Sequence, residues 1–192
     1  MEEHIYSVLA VSSAEKFNTS LKELLDKNRF TPVCLAHDVA GARRLLLEKS
    51  FDIVIINTPL PDEFGTRLAL DVCDSGGAGV LLLVKAEHYT EVNSRVSPYG
   101  VFVLSKPTGT QTVMQSLTLL CATRERLRKM ERKAADFEEK MEEIRMVNRA
   151  KWLLIEQLKM TESEAHRYIE KQAMDRCVTR KTVVEGILST YK

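Results

Sequence analysis

Phe51-Asp-Ile-Val-Ile-Ile-Asn-Thr-Pro-Leu-Pro-Asp-Glu-Phe-Gly65 begins as an apolar run without polar alternation and ends as a loop rich in proline and acid. Its first part, Asp52 to Ile56, reads as a strand that is apolar on both faces. Such strands belong in a parallel sheet covered by helices on both sides. Similar runs lie at Ile5 to Val11, Phe30 to Ala36, Gly79 to Val84 and Gly100 to Leu104. Helical patterns fill the intervals at about 14–28, 39–49, 65–74 and 87–97, and a fifth helix begins near Thr108. Five strands alternating with helices predict a doubly wound α/β domain over residues 1–118, with strand order 2-1-3-4-5.

In an open α/β sheet the chemistry sits at the carboxyl ends of the strands. Here those ends carry Ser12 and Ser13, Asn57, Lys85 and Ser105-Lys106-Pro107. Two hydroxyls and an amide offer no negative charge to a divalent cation.

The segment 119–148 is charged, with apolar residues alternately three and four apart. Leu127, Ala134, Met141 and Asn148 take the a positions of a heptad, and Met130, Phe137 and Ile144 take the d positions. A stripe this narrow, flanked by Arg, Lys and Glu, either packs on its own domain or asks for another helix; the clean spacing favours a second copy of the chain. In a parallel pair Arg126 would face Glu131 and Lys133 would face Glu138, both attractive, whereas Lys140 would face Arg145. Asn148 at an a position is a device that fixes register and a two-stranded state.

Residues 149–192 read as three short helical pieces. Arg149 to Lys159 continues the preceding helix with Trp152, Leu153, Ile155 and Leu158 as its apolar side. Thr161-Glu-Ser-Glu164 is a capping box that opens a helix running to about Asp175 and burying Ala165, Tyr168, Ile169, Ala173 and Met174. Thr179 is the expected N-cap of a last helix, Arg180 to Thr190, with Val183, Val184, Ile187 and Leu188 facing inward. So small a core gains from docking on a paired helix.

Two resemblances follow from these residues. The stretch 51–65 and the pair Lys106-Pro107 resemble the third strand, its loop and the lysine-proline signature of response-regulator receiver domains, which implies a flavodoxin-like fold. That family uses an acidic pair after strand one and an aspartate at the end of strand three to hold magnesium and accept a phosphoryl group. Ser12, Ser13 and Asn57 stand in those places, and Lys85 stands where a Thr or Ser is expected, so the resemblance implies a degenerate receiver not switched by aspartyl phosphorylation. Ala150-Lys151, Leu158-Lys-Met-Thr-Glu-Ser-Glu-Ala165, Gln172-Ala-Met-Asp-Arg176, Val183-Val184 and Ile187-Leu188 closely resemble the ANTAR domain of transcription antitermination regulators. Gly186 and Arg180 depart from it, at positions where Ala and an aliphatic residue are usual.

The second resemblance implies binding to a nascent transcript that forms two stem-loops with hexanucleotide loops, which prevents an overlapping terminator hairpin. RNA loops are read through unstacked bases and phosphates. The candidate contacts are Arg149, Lys151, Arg167, Gln172, Arg176, Thr179, Arg180 and Lys181, of which Lys151, Gln172 and Arg176 fall within the motif matches. Trp152 and Tyr168 could stack on bases, but their spacing beside Ile155 and Ile169 places them in the core.

Composition agrees with a folded, soluble protein rather than a disordered one. The chain of 192 residues is 44% hydrophobic and 29% charged, with no apolar run of transmembrane length, and Met1-Glu-Glu-His does not read as a signal peptide. A cytoplasmic protein is expected. The four cysteines and four histidines are scattered, so neither a disulfide framework nor a metal site is predicted. No enzyme activity is expected, because no nucleophile–base pair, metal cluster or glycine-rich phosphate loop is visible, and no cofactor is expected either. A net charge of +1 conceals an acidic front and a basic back: residues 117–192 hold 17 Lys and Arg against 13 Asp and Glu, and residues 1–116 hold 11 against 14. A DNA-binding helix-turn-helix and a pure protein-interaction module are the rival readings. A protein or small ligand acting at the receiver is a further expected partner.

Overall fold

The computed structural model describes residues 4–191; Met1 to Glu3 and Lys192 lie outside the described residues. It divides into two compact units, Met1–Arg128 and Lys129–Lys192. The first holds strands β1 (Tyr6–Val11), β2 (Phe30–Ala36), β3 (Ile53–Asn57), β4 (Gly79–Lys85) and β5 (Phe102–Lys106), interleaved with helices α1 (Glu15–Leu24), α2 (Val39–Glu48), α3 (Thr66–Asp74) and α4 (Ala86–Val96). Helix α5 (Thr110–Leu158) begins in this unit and ends in the second, which adds α6 (Glu162–Asp175) and α7 (Arg180–Thr190).

The sheet is parallel throughout, in the order β2-β1-β3-β4-β5. All five residues of β3 are buried, which is what a strand covered on both faces requires. Leu9, Val54, Ile56 and Leu82 belong to the core on one side, and Val8, Ile53, Ile55 and Leu81 to the core on the other, where Val113, Leu117, Leu120 and Cys121 of α5 join them. Gly65 closes the loop after β3 with φ +96°, and a Cβ there would lie 3.0 Å from Ile56 Cγ2, so only glycine fits. Asp62 from the same loop accepts from the amides of Val39 and Ala40, both at 3.0 Å, at the start of α2. These amide bonds, that of Val39 foremost, hold its carboxyl below the ordinary aspartate value.

The second unit has its own small core: Ala150 and Leu154 from α5, Ala165, Ile169 and Ala173 from α6, and Val183, Val184 and Ile187 from α7. Thr161 and Glu164 form the expected reciprocal capping box, and Thr179 caps α7 by accepting from Thr182 N at 3.2 Å. Three inward assignments are corrected. Trp152 is 71% exposed, Met174 77% and Leu158 45%. Leu154 is buried in their stead, because small Ala150 lets α5 turn the 150/154 stripe toward α6 and α7. No helix among the described residues is long and apolar enough to cross a membrane.

Candidate functional site

At the carboxyl edge of the sheet, the ends of β1, β3 and β5 bring Ser12, Asn57 and Lys106 together. Ser12 is 1% exposed and Asn57 7%. Asn57 Nδ2 donates to Ser12 Oγ at 3.0 Å, Lys106 Nζ donates to Asn57 Oδ1 at 2.8 Å, and Lys106 also donates to the carbonyl of Thr58. Ser12 Oγ further accepts from Ala14 N at 3.2 Å. The asparagine thus spends its amide inside the protein, which satisfies a buried polar group. Burial pushes the Lys106 ammonium below its ordinary value, and the neighbouring Lys85 charge adds to the effect. Lys85 is exposed and pairs with Glu87 at 3.6 Å, while Ser13 is half-buried.

Magnesium, which receiver domains use, does not fit these residues. Ser12, Asn57 and Lys106 present a hydroxyl, an amide and a cation already bonded to one another, and no carboxylate bonds to any of them among the described residues. A hard divalent ion needs charged oxygens.

In the second unit the predicted RNA contacts separate into groups. Lys151 and Arg180 line a cleft of about 500 Å3 with Lys140, Asn148 and His166, and both are paired, Lys151 with Glu162 at 3.3 Å and Arg180 with Glu143 at 4.0 Å. Gln172 and Arg176 line a separate hollow between α6 and α7. Arg149, Arg167 and Lys181 are exposed outside both, and the Thr179 hydroxyl is occupied as a helix cap. Lys140 and His166 were not expected at the cleft; only their spacing from Lys151 along and across helices could have placed them.

Along α5 the predicted seam is open in the single chain. Leu127 is 45% exposed, Met130 58%, Phe137 65%, Met141 36% and Ile144 53%, and Ala134 and Asn148 are exposed as well.

Comparison with known proteins accounts for both units. The ANTAR domain family matches residues 135–188. The transcriptional regulatory protein PdtaR of Mycobacterium tuberculosis is 26% identical over 183 residues, covering 95% of this chain and 89% of PdtaR. Among solved structures, the signal receiver domain of an HD domain-containing protein from Pseudomonas fluorescens Pf-5 aligns with TM-score 0.58 at 23% identity, covering 67% of this chain and 95% of that one. The chemotaxis response regulator CheY4 of Vibrio cholerae aligns with TM-score 0.53 at 20% identity, covering 61% and 99%. The chain thus joins a unit with the receiver fold to a segment that matches the ANTAR domain family. The chain resembles the ANTAR response regulators.

Proposed function

We propose that this protein binds paired stem-loops in nascent mRNA and keeps a terminator from forming, as a homodimer joined through α5 and without control by aspartyl phosphorylation. The observation that carries this reading is the ANTAR match over residues 135–188, which begins on the helix whose apolar seam stands open to solvent. Two stem-loops call for two ANTAR modules, and a coiled coil through Leu127, Met130, Ala134, Phe137, Met141, Ile144 and Asn148 supplies them in one particle. Independence from phosphorylation is supported by the Ser12–Asn57–Lys106 network, which holds no carboxylate to accept a phosphoryl group or to neutralise a divalent ion. The proposed domain limits are 1–118, 119–148 and 149–192.

The RNA contacts proposed are Arg149, Lys151, Arg167, Gln172, Arg176, Arg180 and Lys181, with Thr179 acting through its cap. Trp152 joins them as a stacking platform because it is exposed rather than packed. Titrating the full chain with hairpin RNA and with duplex DNA across salt concentrations tests this. Hairpin preference that persists at high salt supports RNA recognition. Preference for the duplex would favour a DNA-binding regulator, and weak attraction to both that salt erases would favour an interaction module.

A further inference from the structure

The hollow between α6 and α7 measures about 200 Å3 and is bordered by Leu154, Tyr168, Gln172, Arg176, Gly186 and Tyr191. It is smaller than the sites that take drug-sized ligands, which begin near roughly 300 Å3, and it suits a single ring system. Tyrosine rings offer flat apolar faces, an amide offers one donor and one acceptor edge, and a guanidinium offers a fork for phosphate. Among the described residues, the Gln172 amide and the Arg176 guanidinium have no hydrogen bond or ion pair to another side chain. Lys151 and Arg180, by contrast, are engaged with carboxylates.

Gly186 lines the hollow. Glycine inside a helix is destabilising relative to alanine. A Cβ at this position would meet no heavy atom within 4 Å, so packing does not require the missing side chain. Stability therefore favours a larger residue at 186, while access to the hollow favours none.

Resting on the RNA reading above, we infer that this hollow receives one unstacked nucleobase from the loop of each stem-loop. The base lies against a tyrosine ring, its polar edge meets the Gln172 amide, and the adjoining phosphate meets Arg176. Bases within a duplex cannot enter, whereas splayed loop bases can. The occupant is thus a single-stranded nucleobase.

The test is a coupling experiment on the full chain. Affinity for a two-hairpin RNA is measured for the wild type, Gly186→Leu and Gln172→Ala, with each loop nucleotide replaced in turn by an abasic one. Thermal unfolding checks that the variants remain folded; leucine and alanine are both strong helix formers. Gly186→Leu is expected to weaken binding roughly tenfold, the scale of one base stacked on an aromatic ring. One loop position should lose its abasic penalty in both variants, which identifies the base that enters. If the wild type prefers hairpin RNA to duplex DNA but Gly186→Leu binds within about twofold of it, or every abasic penalty survives in both variants, the slot is wrong and the RNA reading stands. If the wild type shows no preference for hairpin RNA, both fall.

Discussion

Lys106 Nζ lies 2.8 Å from Asn57 Oδ1, so the cation at the end of β5 is bonded to the amide at the end of β3. Asn57 passes the connection on to Ser12 at the end of β1. Three strand ends are joined by a closed set of hydrogen bonds at the edge where an α/β sheet ordinarily does chemistry.

The first expected outcome is chemical inertness combined with structural importance. The chain treated with a small phosphodonor and magnesium should gain no phosphoryl group by mass spectrometry. Lys106→Met should cost about 1–3 kcal/mol in denaturant unfolding, because Asn57 Oδ1 and the Thr58 carbonyl lose their donor. A stable phosphoryl adduct on the receiver-fold unit would contradict the inertness.

At the opposite edge, Asp52 accepts from Ser7 N at 2.9 Å and from Ser7 Oγ at 3.0 Å, and it also pairs with Arg128 of α5. Burial alone would raise the carboxyl's pKa, but the two Ser7 bonds, together with Arg128 and His4, hold it below the ordinary value of 3.8. A depressed folded-state pKa gives stability that is present above the unfolded value and is lost as pH falls through the folded one. Asp52→Asn should therefore be less stable than wild type at pH 7, with the gap closing below about pH 4. A gap that stays constant from neutral to acid would contradict the role of the charge.

Trp152 and Leu154 sit two residues apart on α5 and should behave oppositely. Leu154→Ala removes a side chain that is 1% exposed and should cost about 2–5 kcal/mol. Trp152→Ala, at 71% exposure, should change unfolding by less than roughly 0.5 kcal/mol while weakening hairpin binding. Unchanged RNA affinity in a folded Trp152→Ala protein would remove it as a stacking platform.

The seam makes its own forecast. Phe137→Glu should halve the mass seen by light scattering, since a charge in an a/d stripe cannot be buried against its own copy. Asn148→Leu should make the assembly more stable and less strict in its number of chains. A wild-type monomer at micromolar concentration would refute the pairing.

The sheet was legible because β1, β3 and β4 are continuous apolar runs, and in a parallel sheet the strand order places their ends without further information. That is why Ser12, Asn57 and Lys106 could be brought together from sequence. The Arg128–Asp52 contact could not, since 76 residues separate two charged residues with no periodic relation. Around Trp152 the run Trp-Leu-Leu-Ile fits more than one helical face, and buried Ala150, which decides between them, carries little hydrophobic signal. The hollow at Gly186 was visible only as a departure from the expected alanine; its meaning depends on which side chains surround it.

The most direct measurement compares the full-length protein's affinity for an RNA with two hexaloop stem-loops against one with a single stem-loop, with particle mass recorded in the same buffer and no phosphodonor present. The account predicts a dimer that binds the two-hairpin RNA at least about tenfold more tightly, because the second contact is intramolecular. A dimer that binds both RNAs equally, or neither, would contradict it.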